Sequence, residues 1–378
     1  MARDTIVADK CAEALGGSGK QEAGGTVEEW GGGHFLNTAV AATDMLSIVK
    51  ALGQEKLNLI ALSYGSTLGA TFASLYPDKV GLVHIDGVVD ASLWHAGDVT
   101  GDMQDADKVI GAFFDLCTKA GKTVCPIAED SSKKTEQRVN NILAALKARP
   151  IPVYPHANGF SVVTFDTVKA FLRTRLYVPS ATFPDLAAVL AAVEARNTTA
   201  LFGFGANDPA TGLAPWFPPD QSLNAIACSD WPDFSKTSLD EAWGWIRNAT
   251  QTSKYIGNVM SRVKVQCIPW KVRAAKRFEG AIGAKKLSGK LFITNNVLDP
   301  VTPLADARSI HKRFPGSSLL IQNTVGHCTI LNLGSCTAKA IGSFFQTGVL
   351  PKDGTVCEPD ALPFVGPVTK GISSGIRA

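Results

Sequence analysis

The residues that decide the fold are 56–77, KLNLIALSYGSTLGATFASLYP. The run Leu57–Leu62 is apolar and has the length of a strand, and small or apolar residues with helical spacing follow the turn. A strand, a sharp turn that carries a serine, and a helix together expose a serine nucleophile above a parallel sheet. The pattern of such a turn is Gly-x-Ser-x-Gly, and Ala61, Ser63 and Gly65 occupy its three fixed positions.

The helix that begins after Ser63 gives the turn a second property. Backbone N–H groups at a helix N-terminus lack partners and carry the positive end of the helix dipole. The N–H of Tyr64 is therefore predicted to stabilise a developing oxyanion. The alternative interpretation is that Ser63 only caps an ordinary helix, which serine commonly does.

The composition describes a globular chain that forms a large core. Of the 378 residues, 45% are hydrophobic and 19% are charged, and the net charge of +3 includes no basic block, which argues against a nucleic-acid partner. No apolar run reaches the roughly 18 residues of a membrane helix, and the first residues lack the apolar segment of a signal peptide. The eight cysteines form no Cys-x-x-Cys pair, so no metal or other cofactor is predicted.

Helix and strand patterns alternate on both sides of the central stretch. An amphipathic helix pattern over 37–52 precedes the first strand, and a strand pattern buried on both faces follows within 79–89. Strand patterns return at 289–295 and 317–323, each followed by a helix pattern. Repeated helix and buried strand predict an α/β fold with a parallel sheet flanked by helices.

The middle of the chain has a different character. Residues 93–288 contain one strand pattern, over 159–165, and are otherwise mainly helical. The helical patterns cover 107–117, 132–147, 168–175, 183–196, 231–251 and, in large part, 255–275. We therefore expect two parts of one core, residues 1–92 and 289–378, separated by a helical lid insertion at 93–288. Within the first part, the glycine-rich residues 1–35 are predicted to be a flexible connection, with local order only near 5–11.

A serine nucleophile requires a base, and the base requires an orienting carboxylate. In α/β hydrolases these residues come in the order serine, acid, histidine, on loops that follow successive strands. Asp299 follows the strand pattern at 289–295, and His327 follows the one at 317–323, 28 residues later. Both loops open on the same edge of the sheet, which predicts Ser63, His327 and Asp299 as a catalytic triad. Asp86 is the rival acid. The remaining histidines lack such a placement: His34, His84, His95, His156 and His311.

Several segments also carry a resemblance to a known family. ALSYGSTLGATFASLYPDKVGLVHIDGVVD, NNVLDPVTPLADAR, TVGHC and FFQTGVLPKDGTVCEPD resemble the secreted tripeptidyl aminopeptidase and proline iminopeptidase-like group of α/β hydrolases. The resemblance covers 37–92 and 290–360 well and the insertion loosely. It implies Ser63 as nucleophile, Asp299 as acid and His327 as base, with the insertion forming a lid over the site.

The same resemblance implies disulfide bonds and a secreted protein. The implied pairs are Cys117–Cys125, Cys228–Cys267 and Cys336–Cys357, and they leave Cys11 and Cys328 unpaired. Two glycosylation sequons, at Asn197 and Asn248, also favour an oxidising, secretory environment.

This sequence departs from the family at two places. Ala61 stands where a glycine is usual, and only 36 residues precede the helix pattern at Asn37, where the family has several strands and a second oxyanion donor. These departures predict an N-terminally truncated form with an exposed edge on its first strand. Such a form is expected to self-associate and to be weakly active.

The function predicted from these residues is hydrolysis of an amide or ester bond through an acyl-enzyme. The resemblance favours a peptidase that releases N-terminal residues or tripeptides from short peptides. Such a peptidase needs a lid carboxylate for the substrate amine, and Asp230 and Glu241 are the candidates. Two alternatives stay open: an esterase or lactonase acting on a small hydrophobic molecule, and a catalytically silent homologue.

Overall fold

The fold is described by a computed structural model that covers residues 2–16, 31–156, 159–201 and 221–367. Much of the predicted flexible connection, residues 17–30, lies outside these ranges. The described part before it is a helix, α1 (Ala2–Leu15), so regular structure extends beyond the short stretch near 5–11 that was predicted.

The centre of the molecule is a parallel sheet, as the alternating pattern predicts. Its described strands are β1 (Leu57–Leu62), β2 (Val80–Asp86), β5 (Lys290–Leu298), β6 (Ser318–Val325) and β7 (Thr355–Cys357), in the spatial order β1-β2-β5-β6-β7. Every neighbouring pair in this sheet is parallel. The sequence did not predict β7, because three residues in a tail rich in proline and glycine give too short a pattern.

Helices cover both faces of the sheet. They are α2 (Thr38–Ala51), α3 (Tyr64–Leu75), α4 (Ala91–Ala96), α13 (Leu304–Arg313) and α14 (Ser335–Thr347). The helices α2, α3 and α13 pack with the sheet around buried residues such as Phe72, Ile85 and Ile293. On the other face, Phe344 of α14 contacts Phe292. Among the described residues, no helix is both long enough and apolar enough to cross a bilayer.

The insertion is mainly helical. Its elements are α5 (Ala106–Ala120), α6 (Ser132–Ala148), a hairpin of β3 (Ile151–His156) and β4 (Gly159–Val163), α7 (Phe165–Arg175), α8 (Pro179–Glu194), α9 (Gln221–Asp230), α10 (Leu239–Thr252), α11 (Gly257–Met260) and α12 (Arg262–Gln266). Its core includes Val297, Leu298 and Val325 at the ends of β5 and β6. This shared core places the insertion above the edge of the sheet at which the loops that carry Asp299 and His327 open.

Two helix predictions in the insertion differ from the structure. The pattern over 231–251 predicts one helix, but α9 ends at Asp230 and α10 begins at Leu239, because Ser238 and Glu241 form a capping box that starts a new helix. The pattern over 255–275 yields only the short helices α11 and α12. Pro269 follows α12 closely and cannot continue a helix.

Three disulfide bonds connect the described residues. They are Cys117–Cys125 within the insertion, Cys228–Cys267 between α9 and the residue after α12, and Cys336–Cys357 between α14 and β7. These are the three pairs that the family resemblance implied, with Cys11 and Cys328 as free thiols. The third bond joins the tail strand to the core helix that covers the sheet.

The first strand lies at an edge of the described sheet. It pairs with β2 on one side, and no described strand pairs with its other side. The side chains of Ile60 and Leu62 are 53% and 37% exposed. An exposed apolar edge is a surface on which strands of other chains can pair. Self-association of this chain stays a prediction.

Candidate active site

The turn between β1 and α3 holds Ser63 in a strained backbone conformation. Its φ is 57° and its ψ is −125°, a region that residues other than glycine seldom occupy. A Cβ added at Gly65 would lie 3.4 Å from the Cβ of Ala61, so the positions on either side of the serine leave little space for side chains. Alanine is accepted at position 61 because Gly65 has no side chain. The half-buried Ser63 thus lies on the turn that the sequence predicts.

Asp299 and His327 are in direct contact where β5 and β6 end. The Nδ1 of His327 lies 3.0 Å from Oδ2 and 3.1 Å from Oδ1 of Asp299. Backbone N–H groups hold the carboxylate: Val301 and Thr302 donate to Oδ1, and Cys328 donates to Oδ2, at 2.9–3.0 Å. This geometry fixes one orientation of the carboxylate. It also favours a proton on Nδ1, which leaves Nε2 of His327 free to accept one.

The surroundings of His327 set both its orientation and its charge. Its backbone N–H donates to the carbonyl of Tyr177 at 2.8 Å, and the tyrosine ring packs edge-on against the imidazole with 4.8 Å between ring centroids. Burial by itself lowers the pKa of His327, but the adjacent Asp299 carboxylate outweighs burial and raises that pKa above its ordinary value. Tyr177 of the insertion therefore belongs to the candidate site, although nothing in the sequence pattern predicted it.

Ser63 and His327 are connected in the structure through Asp86 and Cys328, and their side chains form no hydrogen bond with each other. Among the described residues, none forms a hydrogen bond with the Ser63 hydroxyl, and Nε2 of His327 lies 3.5 Å from Sγ of the buried Cys328. The carbonyl oxygen of Asp86 accepts from the Ser63 backbone N–H at 2.9 Å and lies 3.6 Å from the same sulfur. The Cys328 sulfur therefore lies near His327 and near the carbonyl that accepts from Ser63. Hydrogen bonds between catalytic groups are often long or absent until substrate binds.

Asp86, the rival acid, holds a different part of the site. Its carboxylate accepts from the backbone N–H of Thr329 at 2.8 Å, from the Thr329 hydroxyl at 3.0 Å and from the backbone N–H of Ile330 at 3.0 Å. Burial raises the pKa of this carboxyl, and those hydrogen bonds oppose the rise. Asp86 therefore fixes the turn that follows His327, whereas the imidazole itself contacts Asp299.

The two lid carboxylates predicted for a substrate amine have partners within the protein. Asp230 is fully buried and accepts from the N–H and hydroxyl of Thr38 and from the indole N–H of Trp94, at 2.5–2.8 Å. The hydroxyl of Tyr64 bonds the same Thr38 at 2.7 Å. Asp230 therefore ties α9 to α2, α4 and the residue after the nucleophile.

Glu241 has a local role instead. It accepts from the N–H and hydroxyl of Ser238 in the capping box of α10. Amine binding by Asp230 or Glu241 stays a prediction.

A group of buried carboxylates lies near the loop that carries Asp299. Asp90, Asp102 and Asp306 are each at most 7% exposed. Burial, together with the charges of Asp90 and Asp299, raises the pKa of Asp306 to about 7. Among the described residues, no cluster of three or more histidine, cysteine, aspartate or glutamate side chains has the arrangement of a metal site.

Comparison with known families agrees with the fold. Residues 16–112 match the family model described as alpha/beta hydrolase fold, and residues 253–357 match the model described as TAP-like protein. The first match contains the serine turn. The second contains the Asp299 and His327 loops and the disulfide that joins the tail to α14.

Curated relatives match over longer stretches. The tripeptidyl aminopeptidase of Streptomyces lividans is 25% identical over 345 residues, which cover 87% of this chain and 59% of that protein. The putative hydrolase YuaR of Escherichia coli is 23% identical over 312 residues, 80% of this chain and 58% of YuaR. Serine protease Hip1 of Mycobacterium tuberculosis is 29% identical over 120 residues, 31% of this chain and 22% of Hip1.

The chain thus spans 59% of the length of the tripeptidyl aminopeptidase that it matches. The two family models together include the serine turn, the acid loop and the histidine loop, which the structure brings to one edge of a parallel sheet. The chain is an α/β hydrolase with a TAP-like C-terminal region, and over most of its length it is a distant relative of tripeptidyl aminopeptidases.

Proposed function

We propose that this protein is a serine hydrolase that cleaves amide bonds through an acyl-enzyme, and that it releases N-terminal residues or tripeptides from short peptides. Ser63 is the nucleophile, His327 the base, and Asp299 the acid that orients the base. The observation that carries the proposal is the Asp299–His327 contact. The Asp299 carboxylate is fixed by three backbone N–H groups, and Ser63 lies in a strained turn whose backbone N–H bonds the Asp86 carbonyl near Cys328.

The reaction follows from the positions of these groups. Oγ of Ser63 attacks the substrate carbonyl while Nε2 of His327 takes the hydroxyl proton, and the Asp299 carboxylate stabilises the imidazolium. The backbone N–H of Tyr64, the first residue of α3, donates to the oxyanion. Collapse of the tetrahedral intermediate breaks the C–N bond, and the imidazolium gives its proton to the leaving amine. Water then attacks the acyl-enzyme with His327 again as base, which frees the acid product and Ser63.

Two further features support a secreted peptidase with a lid. The described residues of 93–288 pack on the ends of β5 and β6 and include Tyr177, which contacts His327. The three disulfide bonds suit an oxidising environment. A small peptide enters between the lid and the sheet, and the chemistry requires no cofactor.

The first experiment is labelling with a fluorophosphonate probe, which reacts with an activated serine. The wild-type chain should be labelled, Ser63→Ala should not, and His327→Ala should react far more slowly because the hydroxyl loses its base. Ser74→Ala is the control on the same helix, because its hydroxyl donates to the Ala70 carbonyl and accepts from the Gly283 N–H, away from the serine turn. A folded wild-type chain that stays unlabelled would support the catalytically silent alternative.

A substrate panel then separates peptidase from esterase. Aminoacyl and tripeptidyl aryl amides should be cleaved with higher kcat/KM than non-peptide short-chain esters. The opposite order, with the same dependence on Ser63, would favour the esterase or lactonase alternative.

A further inference from the structure

We infer that Arg173 of the lid binds the carboxylate of a short leaving portion, so that the enzyme prefers small peptides with a free C-terminus. The inference rests on the proposed function and adds a specificity-determining residue to it. It comes from a guanidinium near the imidazole that has no carboxylate partner among the described residues.

Arg173 packs over the ring of Tyr177, and that ring contacts His327. Arg173 and Tyr177 belong to the end of α7 and the turn after it, and the guanidinium carbon lies 5.7 Å from the centroid of the tyrosine ring. The same ring packs against His327 with 4.8 Å between centroids. The guanidinium therefore lies no farther from the imidazole than the sum of these two distances. Its positive charge is also among the influences that act on the titration of His327.

The hydrogen-bonding capacity of Arg173 is largely unused. Nη2 donates to the hydroxyl of Tyr177 at 3.2 Å, and Nε faces the weakly accepting Sδ of Met260 at 3.1 Å. A guanidinium carries five N–H donors, so three remain for a ligand. Two other partly buried arginines of the insertion do have carboxylate partners: Arg175 pairs with Asp185 at 2.6 Å, and Arg138 pairs with Glu129 and Glu194. A half-buried arginine without such a partner suits an anion that arrives with the substrate.

The position of Arg173 identifies which end of the substrate it contacts. His327 gives its proton to the leaving amine, so groups packed against His327 border the leaving portion of the peptide. An extended peptide covers about 3.3–3.6 Å per residue. A leaving portion of about one to three residues therefore places its terminal carboxylate within reach of the guanidinium. A planar carboxylate matches the fork of N–H donors in arginine.

The test compares peptides that differ only at the C-terminus. Each tetrapeptide or pentapeptide is prepared as the free acid and as the amide, and kcat/KM is measured for wild type, Arg173→Met and the control Arg175→Met. Wild type and Arg175→Met should prefer the acid, and Arg173→Met should lose about 10- to 100-fold on the acid with little change on the amide. A tripeptidyl aryl amide, which has no carboxylate, should be cleaved by all three at similar rates.

The outcomes separate this inference from the proposed function. Equal losses on acid, amide and aryl amide, with a shifted pH profile on all three, would show that Arg173 acts only through the charge of His327. That result would overturn the inference and leave the serine hydrolase proposal standing. A wild type without turnover of any of the three would instead contradict the proposed function.

A binding measurement supplies a readout that does not depend on turnover. Calorimetry of the free-acid and amide peptides on Ser63→Ala should show tighter binding of the acid, and Ser63→Ala with Arg173→Met should bind the two equally. Equal affinity for acid and amide on Ser63→Ala itself, or no binding of either, would overturn the inference.

Discussion

Replacing Asp299 and Asp86 separately by asparagine tests which carboxylate serves His327. In Asp299→Asn, the amide oxygen can take the place of Oδ1 and keep the Val301 and Thr302 N–H groups, so the NH₂ takes the place of Oδ2. This NH₂ group then faces the N–H of Cys328 and donates a hydrogen bond to Nδ1 of His327. A donor at Nδ1 forces the imidazole proton onto Nε2, which can no longer accept the proton of the serine. Turnover should fall by about 10⁴-fold, as the wrong tautomer causes in serine proteases.

Asp86→Asn is the matched variant. Its amide oxygen can keep the two donors at Oδ2, and its NH₂ then faces the N–H of Thr329. Each substitution thus leaves one buried backbone N–H without an acceptor, which costs about 1–3 kcal/mol of unfolding free energy. The two variants should therefore lose similar stability, while Asp86→Asn keeps most of its turnover.

The measurements are urea unfolding for stability and hydrolysis of a tripeptidyl aryl amide for activity. The reasoning is refuted if Asp86→Asn is inactive at unchanged stability while Asp299→Asn turns over normally. In that case Asp86 would be the acid. If both variants lost activity equally, and only as much as their lost stability explains, the argument about the imidazole tautomer would be contradicted, but the choice of Asp299 over Asp86 would not be reversed.

Three further predictions concern stability. Gly87→Ala should destabilise the fold by about 1–3 kcal/mol or more, because φ at Gly87 is +61° and the new Cβ would lie 2.3 Å from Sγ of Cys328. The double variant Gly87→Ala with Cys328→Ala should recover part of this loss, as measured by urea unfolding. Burial lowers the pKa of His84 to about 4. The unfolded chain therefore binds a proton at this histidine from about pH 6.5 downwards, whereas the folded chain does so only near pH 4, and the stability of the fold decreases over that range. Urea midpoints should fall between pH 6.5 and pH 4, and they should fall less steeply in His84→Gln. Replacing both cysteines of Cys336–Cys357 by serine should cost about 3 kcal/mol, since the bond closes a loop with a sequence separation of 21, and an unchanged midpoint would contradict this.

Local sequence was sufficient to predict the serine turn and the strand ends at which Asp299 and His327 lie. The serine turn needs only an apolar strand, small residues beside the serine and a helix after it, all within the single stretch 56–77. Asp299 and His327 could be chosen because each follows a strand pattern, and strands of a parallel sheet end at a common edge. The parallel pairing of the strands was predicted from the same alternation of elements, whereas the lid role of the insertion was implied by the family resemblance and stays a prediction.

Other contacts of the site join residues that are far apart in sequence. Asp86 reaches the turn at Thr329 over a separation of 243 residues, so the sequence showed only an aspartate after a strand. The sequence showed Cys328 only as an unpaired cysteine, whereas in the structure its φ is 56° and its sulfur lies 3.5 Å from Nε2 of His327. Neither the hydrogen bonds that Asp86 accepts from the turn at Thr329 nor the backbone conformation of Cys328 corresponds to a recognisable sequence pattern.

The lid shows the same division. Its helical character could be predicted from apolar periodicity, but periodicity also indicated helix over 255–275, where the chain forms only short helices and Cys267 bonds to Cys228. That Tyr177 contacts His327, with Arg173 over the tyrosine ring, depends on how the insertion packs on the ends of β5 and β6. Sequence determines which segments form strands and helices because that information is local. Packing determines which side chains meet at the site, because it brings together residues that the chain separates by 150 positions or more.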